Sequence, residues 1–427
     1  MIWKKVLAIA LLSVVVTGAG AQQRRSALME QFLQEVPQRA AFNTHAYEFP
    51  ILKDTPAPKG YKPFYISHYG RHGARSSWGR GCYDNVIGTL TAAREAGILT
   101  PDGETLLQET QYILDNYDGM DGRLTPRGVK EHEALAQRMY QRYPAVFRKG
   151  SRKIRAVSST VPRCIVSMTA ATGELLRQQK SLDISWDTGE RFMDYIARAD
   201  NAEINKRVAE LLAPVNQSYT PDTVAVLHTL FTDPQAARAL MPSALWLEEN
   251  IFWTAIIADA FDIQDNMFRY IPFDAVYKFH ELTILSAYLG QCNSVELGDL
   301  RMPRAEKLAR VIAEEADAAI ANGYPAANLR YGHDWPFLGI VSYFGLEGVG
   351  DRMTLDEARE RWLGARYCSF AANLQMIFYR NKAGDVLVKF LLNEVETAIP
   401  ALQPVAGPYY RWADVKAAHG LDKPITE

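Results

Sequence analysis

The chain has 427 residues, of which 48% are hydrophobic and 22% charged, as expected for a globular protein large enough to form two domains. Its formal net charge is −2 at pH 7, and no block of like charge occurs along it. Nucleic acid and anionic membrane surfaces are therefore not expected as partners.

The first 21 residues have the organisation of a secretory signal peptide. Lys4 and Lys5 form a positive start, Val6–Val16 an apolar core, and Ala19 to Ala21 an A-x-A cleavage site. The apolar run is too short to cross a membrane, so no insertion is expected after cleavage. The alternative is a buried N-terminal helix, against which the cleavage site argues. We expect cleavage near Ala21 and a periplasmic or secreted mature protein.

The stretch from Pro63 to Ser77 reads P-F-Y-I-S-H-Y-G-R-H-G-A-R-S-S. Aromatic and β-branched residues at 64–66 predict a short buried strand. Gly70 and Gly73 then supply the backbone freedom of a tight turn, so we expect the strand to end there.

Two guanidinium groups surround an imidazole in this turn, at Arg71, His72 and Arg75. Guanidinium groups bind phosphate in a bidentate manner, and an imidazole between them can attack phosphorus. The alternative is a basic surface turn with an incidental histidine. The whole R-H-G-x-R run after a strand favours the phosphate site.

The cysteines Cys82, Cys164, Cys292 and Cys368 are widely spaced and include no C-x-x-C. In an exported protein they allow up to two disulfides, with three possible full pairings, and free buried thiols are a further alternative.

No metal or other cofactor is expected. His280 and Glu281 begin an H-E-x-x-H pattern, but Ile284 occupies the position of the second histidine. The sequence also contains no Walker loop and no G-x-S-x-G elbow.

Two stretches in the first half predict further elements. Thr125 and Pro126 predict the start of a helix that continues to Pro144. Residues 154–157 predict a strand, followed by a turn and cap at 158–160 and a helix that begins at Pro162. Arg163 would then lie at a helix N-terminus, where an anion is favoured. The alternative is an exposed arginine on a first helical turn.

Between residues 186 and 321 the strand signals fade, and we predict a mainly helical insertion. Its clearest helical patterns cover 243–261, 271–289 and 304–322.

A third strand–turn–helix junction follows at residues 326–339, where His333 and Asp334 precede a helix that starts at Trp335 and Pro336. Two interpretations of Asp334 are open: a side chain that takes part in chemistry, or a helix N-cap, which is the commoner use of such an aspartate. The three junctions would meet at one edge of an open α/β sheet, where ligands bind in such folds. Strands at 374–379 and 386–392 complete the predicted sheet.

Taken together, these stretches resemble the histidine acid phosphatase family, in the branch that contains phytases and multiple inositol polyphosphate phosphatases. The resemblance rests on R-H-G-A-R at 71–75, L-T-P-R-G at 124–128, V-S-S-x-x-x-R ending at 163, H-D at 333–334 and F-A-A-N-L-Q-M-I-F-Y-R at 370–380. It implies an α/β sandwich with a central mixed sheet and an inserted helical cap. The expected divisions are a signal peptide at 1–21, the α/β domain at 22–185 and 322–427, and the cap at 186–321.

The resemblance also implies a role for each motif residue. His72 would be the nucleophile and Asp334 the proton donor, and the phosphate would be held by Arg71, Arg75, Arg163 and His333. Two positions depart from the family pattern: Ser77 replaces a common proline, and H-D at 333–334 replaces the H-A-E usual in inositol polyphosphate phosphatases.

The expected function is hydrolysis of a small-molecule phosphomonoester through a phosphohistidine, with inositol polyphosphates such as phytate as candidate substrates. Because Asp334 must carry a proton in the first step, an acidic optimum or a raised pKa of this carboxyl is expected. The alternatives are a broad-specificity acid phosphatase for sugar phosphates or nucleotides, and a non-catalytic protein that binds phosphorylated ligands. The sequence leaves the oligomeric state open.

Overall fold

The computed structural model describes residues 25–117, 119–197, 201–219, 222 and 224–423. The predicted signal peptide lies outside the described residues. Within them, no helix combines the length and the apolar character that a membrane span requires.

One mixed β-sheet forms the centre of the molecule. Its strands in the described ranges are β1 (Lys62–Arg71), β2 (Lys153–Ser158), β3 (Asp183–Thr188), β4 (Ala327–Gly332), β5 (Asn373–Arg380), β6 (Val386–Leu392), β7 (Val395–Glu396) and β8 (Tyr409–Arg411). Their order is β3-β2-β4-β1-β5-β6-β7, and β8 also pairs with β6. The strands β3, β2, β4 and β1 run parallel, whereas β5 to β8 add antiparallel pairs. The predicted α/β class with a central mixed sheet is confirmed.

Strand β1 is longer than predicted, because it continues through Gly70 to Arg71. The prediction that Gly70 ends the strand was wrong. A Cβ at this position would lie 2.7 Å from Cε1 of His68. Glycine is therefore required here because of the neighbouring side chain, and not because the backbone turns. Strands β4 and β5 flank β1 and hold it extended to its last residue.

Strand β3 was not predicted. It covers the first residues assigned to the helical insertion and ends at Thr188. As an edge strand it buries only Ile184, so its sequence lacks the apolar alternation by which half-buried strands are recognised.

Helices surround the sheet, and each predicted helix is present in the described ranges, although the one predicted over 243–261 ends at Ala255. In the described ranges they are α1 (Ala27–Glu35), α2 (Gly81–Glu95), α3 (Pro101–Tyr117), α4 (Pro126–Arg142), α5 (Pro144–Lys149), α6 (Pro162–Gln178), α7 (Glu190–Ile196), α8 (Ala202–Gln217), α9 (Ala225–Leu230), α10 (Pro234–Ala237), α11 (Ala244–Ala255), α12 (Phe273–Gln291), α13 (Gly298–Asn322), α14 (Asp334–Tyr343), α15 (Leu355–Arg361), α16 (Gly364–Tyr367) and α17 (Trp412–Ala418). Short 3₁₀ segments lie at Pro37–Thr44, Arg238–Leu240, Ala258–Phe261 and Met267–Tyr270.

The two faces of the sheet pack into different parts of the core. Along β1, Ile66 points to the face covered by α4, α5 and α6, whereas Tyr65 and Tyr69 point to the face covered by α13 and α14. This alternation is what a central strand buried on both faces requires. Helices α7 to α13 connect β3 to β4, in the region predicted to be mainly helical. The domain boundaries given above remain a prediction.

All four cysteines are free thiols, so the structure contains neither of the two disulfides that the sequence allowed. Cys164, Cys292 and Cys368 are buried, and Cys82 is partly exposed.

Candidate active site

The carboxyl ends of β1, β2 and β4 meet at one edge of the sheet and bring the three predicted junctions together. Arg71 is the last residue of β1 and lies opposite Gly332, the last residue of β4. The backbone N–H of His72 donates to the Gly332 carbonyl over 3.0 Å, and that of Ser159, just after β2, donates to the Tyr331 carbonyl over 3.1 Å. The predicted convergence of these junctions is confirmed.

The loop that carries His72 packs directly on the start of helix α4. A Cβ at Gly73 would lie only 2.5 Å from the Gly128 carbonyl oxygen, so a side chain is excluded there. The N–H of Thr125 donates to the Ala74 carbonyl over 2.9 Å. The L-T-P-R-G stretch therefore supports the R-H-G-A-R loop through backbone contact.

A buried carboxylate on helix α4 also holds this loop in place. Glu131 on α4 accepts from the N–H of Ala74 over 2.7 Å and from the N–H of Tyr47 over 3.2 Å. Burial raises the pKa of Glu131 to about 7, although both hydrogen bonds oppose this shift. Glu131 thus ties the loop, helix α4 and the N-terminal segment together.

His72 is buried and presents one nitrogen to the centre of the site. Its Nδ1 is 2.9 Å from the Gly73 carbonyl oxygen, which assigns the proton to Nδ1 and leaves the lone pair on Nε2. Burial, followed by repulsion from Arg163 and Arg71, lowers the pKa of His72 well below its usual value. The imidazole is therefore neutral, as a nucleophile must be.

Three buried guanidinium groups lie around this imidazole. Arg71 donates to the carbonyls of Asn43 and Ser369. Arg75 donates to the Ser76 carbonyl over 2.7 Å. Nη2 of Arg163 lies 3.2 Å from Nδ1 of His333. Burial and mutual repulsion lower the pKa of Arg75 to about 9, and burial lowers the pKa of Arg163.

The Nε–H groups of these three arginines, Arg71, Arg75 and Arg163, are buried and have no partner among the described residues. Leaving a buried donor without a partner is costly. A phosphoryl group would supply acceptors to these donors and negative charge to the three guanidinium groups.

His333 lies beside His72, with their ring centroids 5.7 Å apart. Its Nδ1 accepts from Arg163, and its Nε2 is 3.0 Å from the Ser159 hydroxyl, so both nitrogens contact protein side chains. Burial and the neighbouring Arg163 lower the pKa of His333 to about 3. In this arrangement His333 orients Arg163, and its predicted contact with phosphate stays a prediction.

Asp334 is the first residue of α14 and not its N-cap, which is His333. Its Oδ1 accepts from the N–H of Trp335 over 3.1 Å, while Oδ2 accepts from the Asn43 amide and lies 3.5 Å from Nη2 of Arg71. The alternative of a simple helix cap therefore does not describe this carboxylate, which faces the guanidinium groups.

Several residues at the site were not predicted from the sequence. Asn43 follows Phe42, whose φ of 51° and ψ of −110° are strained for a residue other than glycine, and it contacts both Asp334 and Arg71. Trp78 lies against Arg75 and Arg163. Asn43 and Glu131 belong to no recognisable motif, because each reaches the site through tertiary contacts. Trp78 lies three residues after the R-H-G-A-R motif, at a position that the motif does not include.

Comparison with protein families gives one match over most of the chain. The model of the histidine phosphatase superfamily (branch 2) matches residues 71–393, a range that includes all six predicted site residues. No curated protein matches the sequence significantly.

Several solved structures share the fold. The multiple inositol polyphosphate phosphatase of Bifidobacterium longum, in complex with inositol hexasulfate, has a TM-score of 0.70 and 16% identity, over 91% of this chain and 100% of that one. The phytase from D. castellii has a TM-score of 0.62 and 13% identity, over 90% and 85% of the two chains. The Hafnia alvei phytase has a TM-score of 0.51 and 13% identity, over 86% and 97%.

Proposed function

The chain belongs to branch 2 of the histidine phosphatase superfamily and is a phosphoric monoester hydrolase, and we propose that it is an exported enzyme that hydrolyses inositol polyphosphates through a phosphohistidine on His72. The observation that carries the proposed mechanism is the neutral His72, whose Nε2 lone pair lies among three buried guanidinium groups. This arrangement suits in-line attack on a phosphoryl group.

In the first step, Nε2 of His72 attacks phosphorus, and the bond from phosphorus to the ester oxygen breaks. Asp334 gives its proton to the departing oxygen, so that the alcohol leaves neutral and the phosphoryl group remains on His72. The Nδ1–H bond to the Gly73 carbonyl orients the ring and helps to disperse the positive charge that develops on it.

In the second step, water attacks the phosphohistidine and loses its proton to the Asp334 carboxylate. The bond from phosphorus to Nε2 breaks, inorganic phosphate is released, and both side chains return to their starting forms. In both steps Arg71, Arg75 and Arg163 hold the equatorial oxygens, where negative charge must be stabilised.

The substrate class is supported by the structural likeness to the Bifidobacterium longum phosphatase with inositol hexasulfate and to two phytases. The F-A-A-N-L stretch at 370–374 supports the same class, and it places Phe370 under Arg71, 5.2 Å from the ring centroid to Cζ. Export is supported by the signal-peptide pattern of residues 1–21.

A panel of phosphomonoesters tests this proposal. Phosphate release by the purified mature protein would be measured with myo-inositol hexakisphosphate, a sugar phosphate, a nucleoside monophosphate and p-nitrophenyl phosphate, with His72→Ala as the blank. We expect the highest kcat/KM for the inositol polyphosphate. Preference for the sugar phosphate or the nucleotide would instead indicate a broad-specificity acid phosphatase, and no release from any ester would indicate a binding protein.

A further inference from the structure

Trp78 lies against two of the three phosphate-site arginines. Cζ of Arg75 is 4.5 Å and Cζ of Arg163 is 4.4 Å from its ring centroid. Both guanidinium groups are buried, whereas Trp78 is 52% exposed. Trp78 is therefore a half-exposed side chain that contacts two buried like charges, an arrangement that core packing does not account for.

The contact solves a specific physical problem. Arg75 and Arg163 repel one another, and this repulsion contributes to the lowered pKa of Arg75. An aromatic face attracts a guanidinium and contacts its plane, so the N–H donors along its edge stay available. A carboxylate in the same place would occupy those donors and cancel the charge that a phosphate needs. In agreement with this, the Nε–H groups of both arginines have no partner among the described residues.

The loop after helix α3 also contacts the tryptophan and the residue before it. The N–H of Gly122 donates to the Ser77 carbonyl over 2.7 Å, and the Tyr117 hydroxyl donates to the same oxygen over 3.1 Å. A Cβ at Gly122 would lie 2.6 Å from Cζ3 of the Trp78 ring. The backbone therefore approaches the indole as closely as a glycine allows.

We propose that Trp78 is a positioning residue, which holds the guanidinium groups of Arg75 and Arg163 together so that both bind one phosphoryl group. The inference rests on the proposed function of the site and adds a residue outside its motifs. Trp78 acts through the arginines and takes no part in bond making or breaking.

The first experiment measures binding of inorganic phosphate by calorimetry, which requires no turnover. We expect Trp78→Leu to weaken phosphate binding about tenfold, because two cation–π contacts are lost, and Trp78→Phe to keep most of the affinity. In steady-state assays Trp78→Leu should raise KM more than it lowers kcat. The melting temperature should stay unchanged, since half of the side chain is exposed.

The second experiment moves the tryptophan without replacing it. Gly122→Ala and Gly119→Ala each place an alanine at a positive φ, of 63° and 65°, in the same loop, but only position 122 contacts Trp78. The backbone strain is therefore matched. We expect Gly122→Ala to weaken phosphate binding several-fold relative to Gly119→Ala.

Equal phosphate affinity in Trp78→Leu and wild type, or equal losses in the two glycine variants, would overturn the role of Trp78. Failure of the proposed function gives a different result, in which the wild-type protein binds phosphate but releases none from any ester. In that case, calorimetry still shows whether the variants bind phosphate more weakly than the wild type, because binding requires no turnover.

Discussion

At the scale of single residues, the charges that would bind phosphate also keep the nucleophile unprotonated. The pKa of His72 is lowered by burial and then by the guanidinium groups of Arg163 and Arg71. Because the neutral form persists until the pH falls below this lowered pKa, acid conditions that protonate an ordinary histidine leave His72 able to attack. A neutral imidazole is therefore available for attack at acidic pH.

Replacement of the nucleophile gives the most direct prediction. His72→Ala should abolish turnover, and the acid-labile phosphoenzyme trapped by rapid quenching of the wild type should be absent from the variant. His228→Ala, at an exposed histidine on α9, serves as the control and should retain both. Near-native turnover by His72→Ala would require another nucleophile.

If Asp334 is the proton donor, the effect of replacing it on the rate of phosphorylation should depend on the leaving group. A nitrophenolate leaves readily without a proton, whereas an inositol or sugar alkoxide does not. Asp334→Asn should therefore slow single-turnover phosphorylation strongly with an alkyl phosphate and only slightly with p-nitrophenyl phosphate. Equal losses with the two esters, at unchanged thermal stability, would contradict the assignment of Asp334 as proton donor.

At the scale of elements, helix α4 and the catalytic loop form one unit through Glu131. This carboxylate reaches the loop N–H of Ala74 and the N–H of Tyr47, which follows the segment that carries Asn43. A change in the charge of Glu131 should therefore shift both the loop that carries His72 and the segment that carries Asn43, which donates to Asp334.

The stability of the folded protein should depend on pH through this residue. The folded-state pKa of Glu131 is raised from 4.5 to about 7, so the protonated form is favoured by folding. Its contribution is fully present below pH 4.5 and is lost as the pH rises through 7. Relative to Glu131→Gln, the wild type should lose roughly 3 kcal/mol of unfolding free energy between pH 4.5 and 8, measured by urea unfolding.

Glu248 provides a matched control for this measurement. It is buried on α11, and burial also raises its pKa to about 7. Glu248→Gln should flatten the dependence of stability on pH in the same way but leave kcat unchanged, whereas Glu131→Gln should also lower kcat. A pH dependence that is identical in wild type and Glu131→Gln would show that Glu131 does not titrate in this range.

The sequence was sufficient to predict those site residues that are close together in the chain or lie at the ends of strands. Arg71, His72 and Arg75 are adjacent in the chain, and Arg163 and Asp334 lie at strand–helix junctions, so local patterns and sheet topology were enough to bring them together. Asn43 reaches the site through tertiary contacts that no local pattern encodes. Trp78 lies three residues after Arg75, outside the motif, and its contact with Arg163 is made only in the folded chain.

The fold was predictable to a similar extent and for related reasons. Helices such as α4 and α12, and the strands β5 and β6, were predicted because their apolar residues follow the period of the element. Strand β3 was missed because it buries one residue, and the end of β1 was misplaced because Gly70 is required by a neighbouring side chain.

At the scale of the whole molecule, the proposed export predicts a defined mature N-terminus. N-terminal sequencing of protein recovered from the extracytoplasmic fraction should give a chain that starts near Gln22. Recovery of a chain that still begins at Met1 in the cytoplasmic fraction would contradict export.

The backbone around His72 is held by distant parts of the polypeptide, since its N–H donates to Gly332 and its carbonyl accepts from Ala371. Some 260 residues must be synthesised after the nucleophile before the first of these partners exists, and almost 300 before the second. We therefore expect a growing polypeptide on the ribosome to remain without phosphatase activity until nearly its whole length has been made, because β1 cannot acquire β4 and β5 as neighbours any earlier.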